Sequence, residues 1–433
     1  MKTVRCVSLG CPKNLIDTEV MLGKLSRAGY RIIDEAKSND IPDIWLINTC
    51  CFIKEAENES LDVIKQAVKS GGGSEVVVAG CLVQRNPELI RRKFGKGVRA
   101  VAGVFDRDNI VGICGGLGVN RAVSKPARLC REDTRRLRVT PGHFAYLRIA
   151  EGCNNRCSYC VIPSIHGAYR SKRPEIIIKE AKELVANGVR ELNIIAQDTT
   201  SYKSGRTELP ELLAMLNRIS GLKWIRLLYT HPAHYSKRLI RAVAELPKVV
   251  KYLDLPVQHI SDHILKRMCR RVSKEQVIDL ISDLRSEIPG LYIRSTVIVG
   301  FPGETKDDFR ELMDSLKQVR FERLGAFRYS REPGTPASRL SGQVPDKVSQ
   351  ARLDEVMRLQ QSIAFEHNQK LIGRKIDVII DSISDNGYIG RTYGDAPEVD
   401  GNIFIKTGKS LKAGSIIRAK VTGVKNYDLM GIV

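Results

Sequence analysis

HFAYLRIAEGCNNRCSYC, residues 143–160, sets an apolar, strand-like run directly ahead of three cysteines in one loop. Cys153, Cys157 and Cys160 follow a CxxxCxxC spacing with Tyr159 before the last of them. Three thiolates so placed can hold three irons of a [4Fe–4S] cluster and leave the fourth iron without a protein ligand. Such an open iron can chelate the amino and carboxylate groups of S-adenosylmethionine, and one electron then breaks a carbon–sulfur bond to give a 5′-deoxyadenosyl radical. Zinc is the competing reading, because it prefers four ligands and His166 is close enough in sequence to complete a set. The position of the loop after a strand favours the cluster.

Downstream, six strand candidates alternate with helical patterns from 141 to about 340: HFAYLRIA, ELNIIAQ, WIRLLYT, KYLDLPV, LYIRSTVIVG and RLGAFRYS. This alternation predicts a partial, TIM-like (β/α)6 barrel. In a full barrel chemistry sits at the carboxyl ends of the strands, and Cys153 follows the first strand at once. KVSQARLDEVMRLQQSIAFEHNQKLI then reads as a long amphipathic helix. Residues 373–433 change to short β-like runs broken by NG, DG and AG, which predicts a small antiparallel β-barrel.

Upstream, residues 1–117 read as an α/β unit: VRCVSLG, DIWLINTC and EVVVAGC are strands, each followed by a helical pattern and each ending near a cysteine. Cys11, Cys50 with Cys51 beside it, and Cys81 thereby occupy equivalent strand ends, where open parallel sheets keep their ligand crevice. Three thiols far apart in sequence can converge there. The arginine-rich stretch 118–140 lacks an apolar period and reads as a linker. The expected domains are therefore 1–117, 118–140, 141–372 and 373–433.

Composition sets limits on this picture. A chain of 433 residues exceeds the size of a single core. No apolar run approaches the roughly 20 residues needed to span a bilayer, and the start, MKTVRCVSLGCPKN, turns polar too soon for a secretory signal. A cytoplasmic protein is expected, with no membrane partner. Disulfides are disfavoured in that compartment, so the 11 cysteines point to metal ligation or burial. The net charge of +21 suggests an anionic partner such as RNA without identifying it. Its distribution is uneven: 24 cationic against 16 anionic side chains over 1–140, 37 against 26 over 141–372, and 9 against 7 over 373–433.

With the loop and the six β/α units in view, the chain resembles the radical S-adenosylmethionine (SAM) superfamily. SLGCPKN at 8–14, NTC at 48–50 and AGC at 79–81 resemble the amino-terminal domain of methylthiotransferases, and the tail resembles a TRAM domain. The resemblance implies two [4Fe–4S] clusters, one held by Cys153, Cys157 and Cys160 and an auxiliary one held by Cys11, Cys50 and Cys81. Cys51 falls in the variable place of the family's Asn-Thr-Cys pattern. Cys6 is expected in the core, and Cys114, Cys130 and Cys269 have no partner at metal spacing.

Within the family, SLGCPKNLIDTE, LPVQHISDHILKRM and RTYGDAPEVDG at 391–401 resemble the RimO-type group, which acts on an aspartate of ribosomal protein S12. The resemblance implies two SAM molecules, an electron donor such as flavodoxin or ferredoxin, a sulfur source, and the ribosomal protein or small subunit as partner. It implies no catalytic side chain beyond the clusters. A tRNA-adenosine methylthiotransferase and an RNA-binding protein with structural clusters are the alternatives. Asp395, Glu398 and Asp400 read as an acidic strip suited to a basic protein. Gln197-Asp198, the glycines of TVIVGFPGE at 296–304, and His259 with Asp262 stay open between ordinary turns and cofactor contacts. Gly71-Gly72-Gly73-Ser74 lacks the Lys-Ser/Thr of a phosphate loop and reads as a turn.

Overall fold

The computed structural model describes residues 1–33, 40–70, 72–116, 123–125 and 131–433. Much of the expected linker, with Cys130, and Gly71 of the glycine run lie outside the described residues. The chain divides into two compact units. The first comprises Met1–Val139, Ala150–Glu183 and Ser330–Ser338; the second comprises Thr140–Ile149, Leu184–Tyr329 and Arg339–Val433.

The first unit opens with β1 (Thr3–Ser8), α1 (Pro12–Arg27), β2 (Arg31–Ile33), β3 (Ile44–Thr49), α2 (Lys54–Ser70), β4 (Glu75–Gly80), α3 (Cys81–Arg85), α4 (Pro87–Phe94), β5 (Ala100–Ala102) and α5 (Ile110–Cys114). All four strand pairings are parallel and the order is β2-β1-β3-β4-β5. This doubly wound order reverses direction between β1 and β3, the point at which such sheets open a crevice. Pro12 starts α1, where its missing N–H costs nothing, and Lys24 and Arg27 in the last turn suit the helix dipole. Val4, Leu46, Val77 and Ala102 form the core on one face, joined by Cys114. The sequence reading found β1, β3 and β4 but not β2 and β5, which are three residues each.

The same unit carries the second cysteine loop, between β7 (Ala150–Glu151) and α6 (Ile162–His166), followed by β8 (Arg170–Ser171). β7 and β8 pair antiparallel across the loop's base. α7 (Pro174–Ala186) comes next. A buried ionic cluster braces this part: Lys172 Nζ donates to Asp133 at 2.9 Å and to Glu180 at 2.7 Å, while Arg107 donates to Asp133 and Asp17.

The second unit contains β6 (Phe144–Arg148), β9 (Glu191–Ile195), the small hairpin β10 (Lys203–Ser204) and β11 (Thr207–Glu208), α8 (Leu209–Asn217), β12 (Trp224–Leu227), α9 (Lys237–Glu245), β13 (Val249–Asp254), α10 (Asp262–Arg267), α11 (Lys274–Glu287), β14 (Tyr292–Val299), α12 (Lys306–Val319), β15 (Arg323–Arg328) and α13 (Asp346–Gln369). The six expected strands form one parallel sheet in the order β6-β9-β12-β13-β14-β15, without closure between its ends. A partial barrel results. The tail closes a five-stranded barrel from β16 (Lys375–Ser384), β17 (Gly387–Thr392), β18 (Ile403–Lys406), β19 (Ile416–Lys425) and β20 (Asp428–Ile432). Four of its pairings are antiparallel and the fifth, β18 with β20, is parallel. An odd number of strands cannot alternate direction all the way round.

Two of the three acidic residues of the tail's strip, Asp395 and Asp400, are turned inward, contrary to the expectation of a partner surface, while Glu398 is exposed. Asp395 accepts from Arg323 at 2.7 and 3.0 Å, Asp400 accepts the Tyr252 hydroxyl at 2.7 Å, and Glu398 accepts the Tyr146 hydroxyl at 2.8 Å. Arg391 donates to Glu191 and to Asp381, both at 2.8 Å, and Glu191 also accepts from Arg226 at 2.8 Å. The cause lies in the sheet: Arg294 and Arg323 sit on its strands in low-dielectric surroundings and pair with Asp400 and Asp395, because buried cations require buried counter-charges. Burial alone would raise the Glu191 carboxyl, but Arg391 and Arg226 hold it down to about 2. The modest formal charge of the tail therefore counts carboxylates that face the protein.

No helix among the described residues is long and apolar enough to cross a membrane.

Candidate active site

Cys11, Cys50 and Cys81 stand at the carboxyl ends of β1, β3 and β4, on either side of the sheet's reversal point. Gly10, at φ +90°, lets the turn after β1 press on Cys50; a Cβ there would lie 2.8 Å from the Cys50 Sγ. Gly80, at φ +98°, starts α3 at Cys81, and a Cβ there would meet Asn48 Oδ1 at 2.2 Å. Asn48 donates to Asn14 O at 2.8 Å and Thr18 Oγ1 at 2.9 Å, and Asn14 Nδ2 in turn donates to Leu9 O and Thr49 O. These two buried amides hold the turns after β1 and β3 together, and Asn14 Oδ1 stands 3.3 Å from Cys81 Sγ at the third. Burial pushes the Cys81 thiol far up, and the neighbouring Cys11, Cys51 and Cys50 add to the shift. The Cys50 thiol is raised chiefly by burial and also by Cys11. The three sulfurs therefore lie within one another's electrostatic reach.

Cys51 differs from its neighbour. It is fully buried in the apolar cluster of Ile47, Leu61 and Ile64, and burial pushes its thiol up to about 12. Cys6 is likewise raised to about 12 by burial, and Cys114 lies in the core, whereas Cys269 is exposed.

Cys153, Cys157 and Cys160 are all part-exposed on one loop. The Cys153 N–H donates to Gly167 O at 3.2 Å and the Cys160 N–H to Cys157 O at 3.0 Å, which fold the loop on itself. Backbone N–H groups of Asn155 and Ile162 point at the sulfurs of Cys153 and Cys160, each at 3.4 Å. Donors aimed at sulfur suit thiolates. His166, a possible fourth zinc ligand by sequence, instead sets its Nε2 3.7 Å from Cys81 Sγ. Both triads are all-sulfur sets of three, the donor chemistry of an iron–sulfur cluster with one iron left open.

At the carboxyl ends of the second unit's strands, the open residues resolve mostly as structure. His259 is fully buried; its Nδ1 accepts the Ser261 N–H, and its Nε2 faces Glu304 at 3.8 Å. Asp262 accepts the Lys274 N–H. Added Cβ atoms on Gly300 and Gly303 would strike Ser349 and Arg267, so these glycines serve packing inside the protein. Asp198 meets His231 and His234, with ligand-capable atoms within 4.8 Å of one another. Sequence reasoning missed both histidines, although HPAH at 231–234 follows a strand end. Asp198 already accepts from Thr200, Ser201 and His234, and His231 Nδ1 accepts the Ala233 N–H. Burial, aided by Arg270, lowers His231 to about 3 and keeps it neutral.

An open (β/α)6 sheet, together with a three-cysteine loop directly after the first strand's sequence, defines a radical SAM enzyme. In agreement, residues 147–316 match the radical SAM superfamily, 372–433 match the TRAM domain and 3–103 match "Uncharacterized protein family UPF0004". The chain is 42% identical to "Ribosomal protein uS12 methylthiotransferase RimO" of Clostridioides difficile, over 100% of this chain and 99% of that protein. It is 43% identical to the protein of the same description from Geobacter sulfurreducens, over 99% of this chain and 98% of that one. The chain belongs to the family of ribosomal protein uS12 methylthiotransferases. In fold it is similar to the radical SAM methyltransferase TsrM from Kitasatospora setae, with a TM-score of 0.58 and 14% identity over 89% of this chain and 79% of that one.

Proposed function

We propose that this chain replaces a hydrogen on the β-carbon of an aspartate in ribosomal protein uS12 with a methylthio group. Cys153, Cys157 and Cys160 hold the cluster that binds SAM, and Cys11, Cys50 and Cys81 hold the auxiliary cluster. The observation that carries this reading is similarity at 42% identity along the whole chain, which leaves no part of the relatives' architecture unaccounted for. The two all-sulfur triads support it.

When bound, the two clusters and two SAM molecules supply a hydrogen-abstracting radical and a methylated sulfur for transfer. The chain's own residues supply position. Asn14 and Asn48 lock the turns that carry Cys11 and Cys50, and the flanking apolar cluster, which includes Cys81, keeps bulk water from that side. The backbone N–H groups of Asn155 and Ile162 support the loop sulfurs. Hydrogen-atom abstraction requires no side-chain base, consistent with Asp198 being engaged by Thr200, Ser201 and His234. A cytoplasmic setting keeps the thiols reduced. A flavodoxin or ferredoxin is the proposed electron donor, and the sulfur source is a separate supply.

Anaerobically reconstituted protein, given SAM and a reductant, is expected to add one methylthio group to uS12, as free protein or in the small subunit, by mass analysis of its peptides. Modified tRNA nucleosides with unmodified uS12 would move the chain to the tRNA branch.

A further inference from the structure

The helix that follows the second cysteine loop reaches the first triad through one side chain that neither triad contains. α6 begins two residues after Cys160, and the preceding Val161 and its own Ile165 pack in the same apolar cluster as Cys81, Leu82 and Val83 of α3. The last residue of α6, His166, is buried and directs Nε2 at Cys81 Sγ, 3.7 Å away. Two polar groups therefore face that sulfur, and they respond oppositely to iron binding. Asn14 Oδ1 stands 3.3 Å from the Cys81 Sγ and can accept only from a protonated thiol. It cannot turn round to donate, because its Nδ2 is committed to Leu9 O and Thr49 O at 3.0 and 2.8 Å. Once Cys81 is a metal-bound thiolate, the sulfur only accepts, and His166 remains as the donor.

We infer that His166 is a positioning residue of the auxiliary site: it donates Nε2–H to the Cys81 sulfur, favours the reduced cluster, and fixes the helix after the SAM-binding loop against the auxiliary site. Donors to cluster sulfurs stabilise the more negative, reduced state and so raise the potential. The inference rests on the ligand assignment proposed above.

The test uses the full-length chain with Cys153, Cys157 and Cys160 changed to alanine, so that only the auxiliary cluster is present. Roughly four irons per chain verify the ligand assignment by itself; no iron would sink that assignment rather than the role of His166. In a mediator titration followed by electron paramagnetic resonance, His166→Leu is expected to lower the reduced-to-oxidised ratio at fixed potential about tenfold, equivalent to ~59 mV for one electron. His166→Gln, which retains a donor, is expected to stay within about threefold of the parent. A leucine variant that keeps its iron and titrates like the parent overturns the inference. Should the leucine variant lose iron, pulsed resonance on the parent chain with 15N-histidine decides: a histidine nitrogen coupling with an exchangeable proton supports the bond, and absence of both overturns it.

Discussion

The two cysteine triads reach similar donor sets by opposite routes. Cys153, Cys157 and Cys160 belong to one short loop and remain part-exposed, while Cys50 and Cys81 are buried and, with Cys11, are gathered from three strand ends of a parallel sheet. The loop is a local device that carries its own geometry. The other triad is a product of topology, and its geometry holds only while the sheet and the Asn14 and Asn48 bridges hold. A site of the second kind is sheltered, but its buried Cys50 and Cys81 thiols resist ionisation and its assembly depends on the whole first unit.

The largest expected effect separates the triads. Alanine at Cys153, Cys157 and Cys160 should abolish both 5′-deoxyadenosine formation and methylthio transfer, leaving about half of roughly eight irons. Alanine at Cys11, Cys50 and Cys81 should abolish only the transfer, with 5′-deoxyadenosine still made in a reductive assay. Loss of that cleavage in a folded protein would make the sites interdependent.

A second contrast concerns the tail. Asp395→Ala leaves Arg323 buried without its carboxylate and is expected to cost ~3–5 kcal/mol of stability in denaturant unfolding. An exposed acidic strip would lose less than about 1 kcal/mol, so the size of the loss discriminates the two arrangements. Acid gives a related signature. Glu191 has its ordinary carboxylate value near 4.5 when unfolded and about 2 when folded, so its contribution is complete above the unfolded value and is lost as pH falls from there through about 2. Glu191→Gln should therefore flatten the stability-versus-pH curve by about one proton in that window; an unchanged slope would contradict the Arg226–Glu191–Arg391 pairing.

The smallest effect is expected at Cys51. Its alanine variant should keep both activities and lose about 1 kcal/mol through a small core cavity. Loss of the auxiliary cluster's iron would transfer the ligand role from Cys50 to Cys51.

How legible all this was in the sequence follows from range. The loop cysteines, the six sheet strands and the long helix α13 could be read because spacing and periodicity are local. β2 and β5 were too short for any period to develop. The charges of RTYGDAPEVDG were visible, but their partners were not: Asp395 meets Arg323 across 72 positions, and Arg391 meets Glu191 across 200. A run of carboxylates looks the same whether it faces solvent or buried arginines. His166 was noticed for its distance from the loop cysteines along the chain, whereas its contact is with Cys81, 85 residues earlier.

The inward-facing tail also bears on how the protein is made. At translation speeds of ~5–20 residues per second, Arg391 leaves the ribosome about 10–40 s after Glu191. Until then Arg323, Tyr146 and Tyr252 of the open sheet lack the tail carboxylates that they bind. The nascent second unit must wait, partly charged in its interior, for the final stretch of chain to finish it. A product truncated before residue 391 would keep every cysteine of both triads and still lack the counter-charge of Arg323 and the carboxylate that accepts the Tyr252 hydroxyl, so quality control of this enzyme is expected to act through its tail rather than through its chemistry.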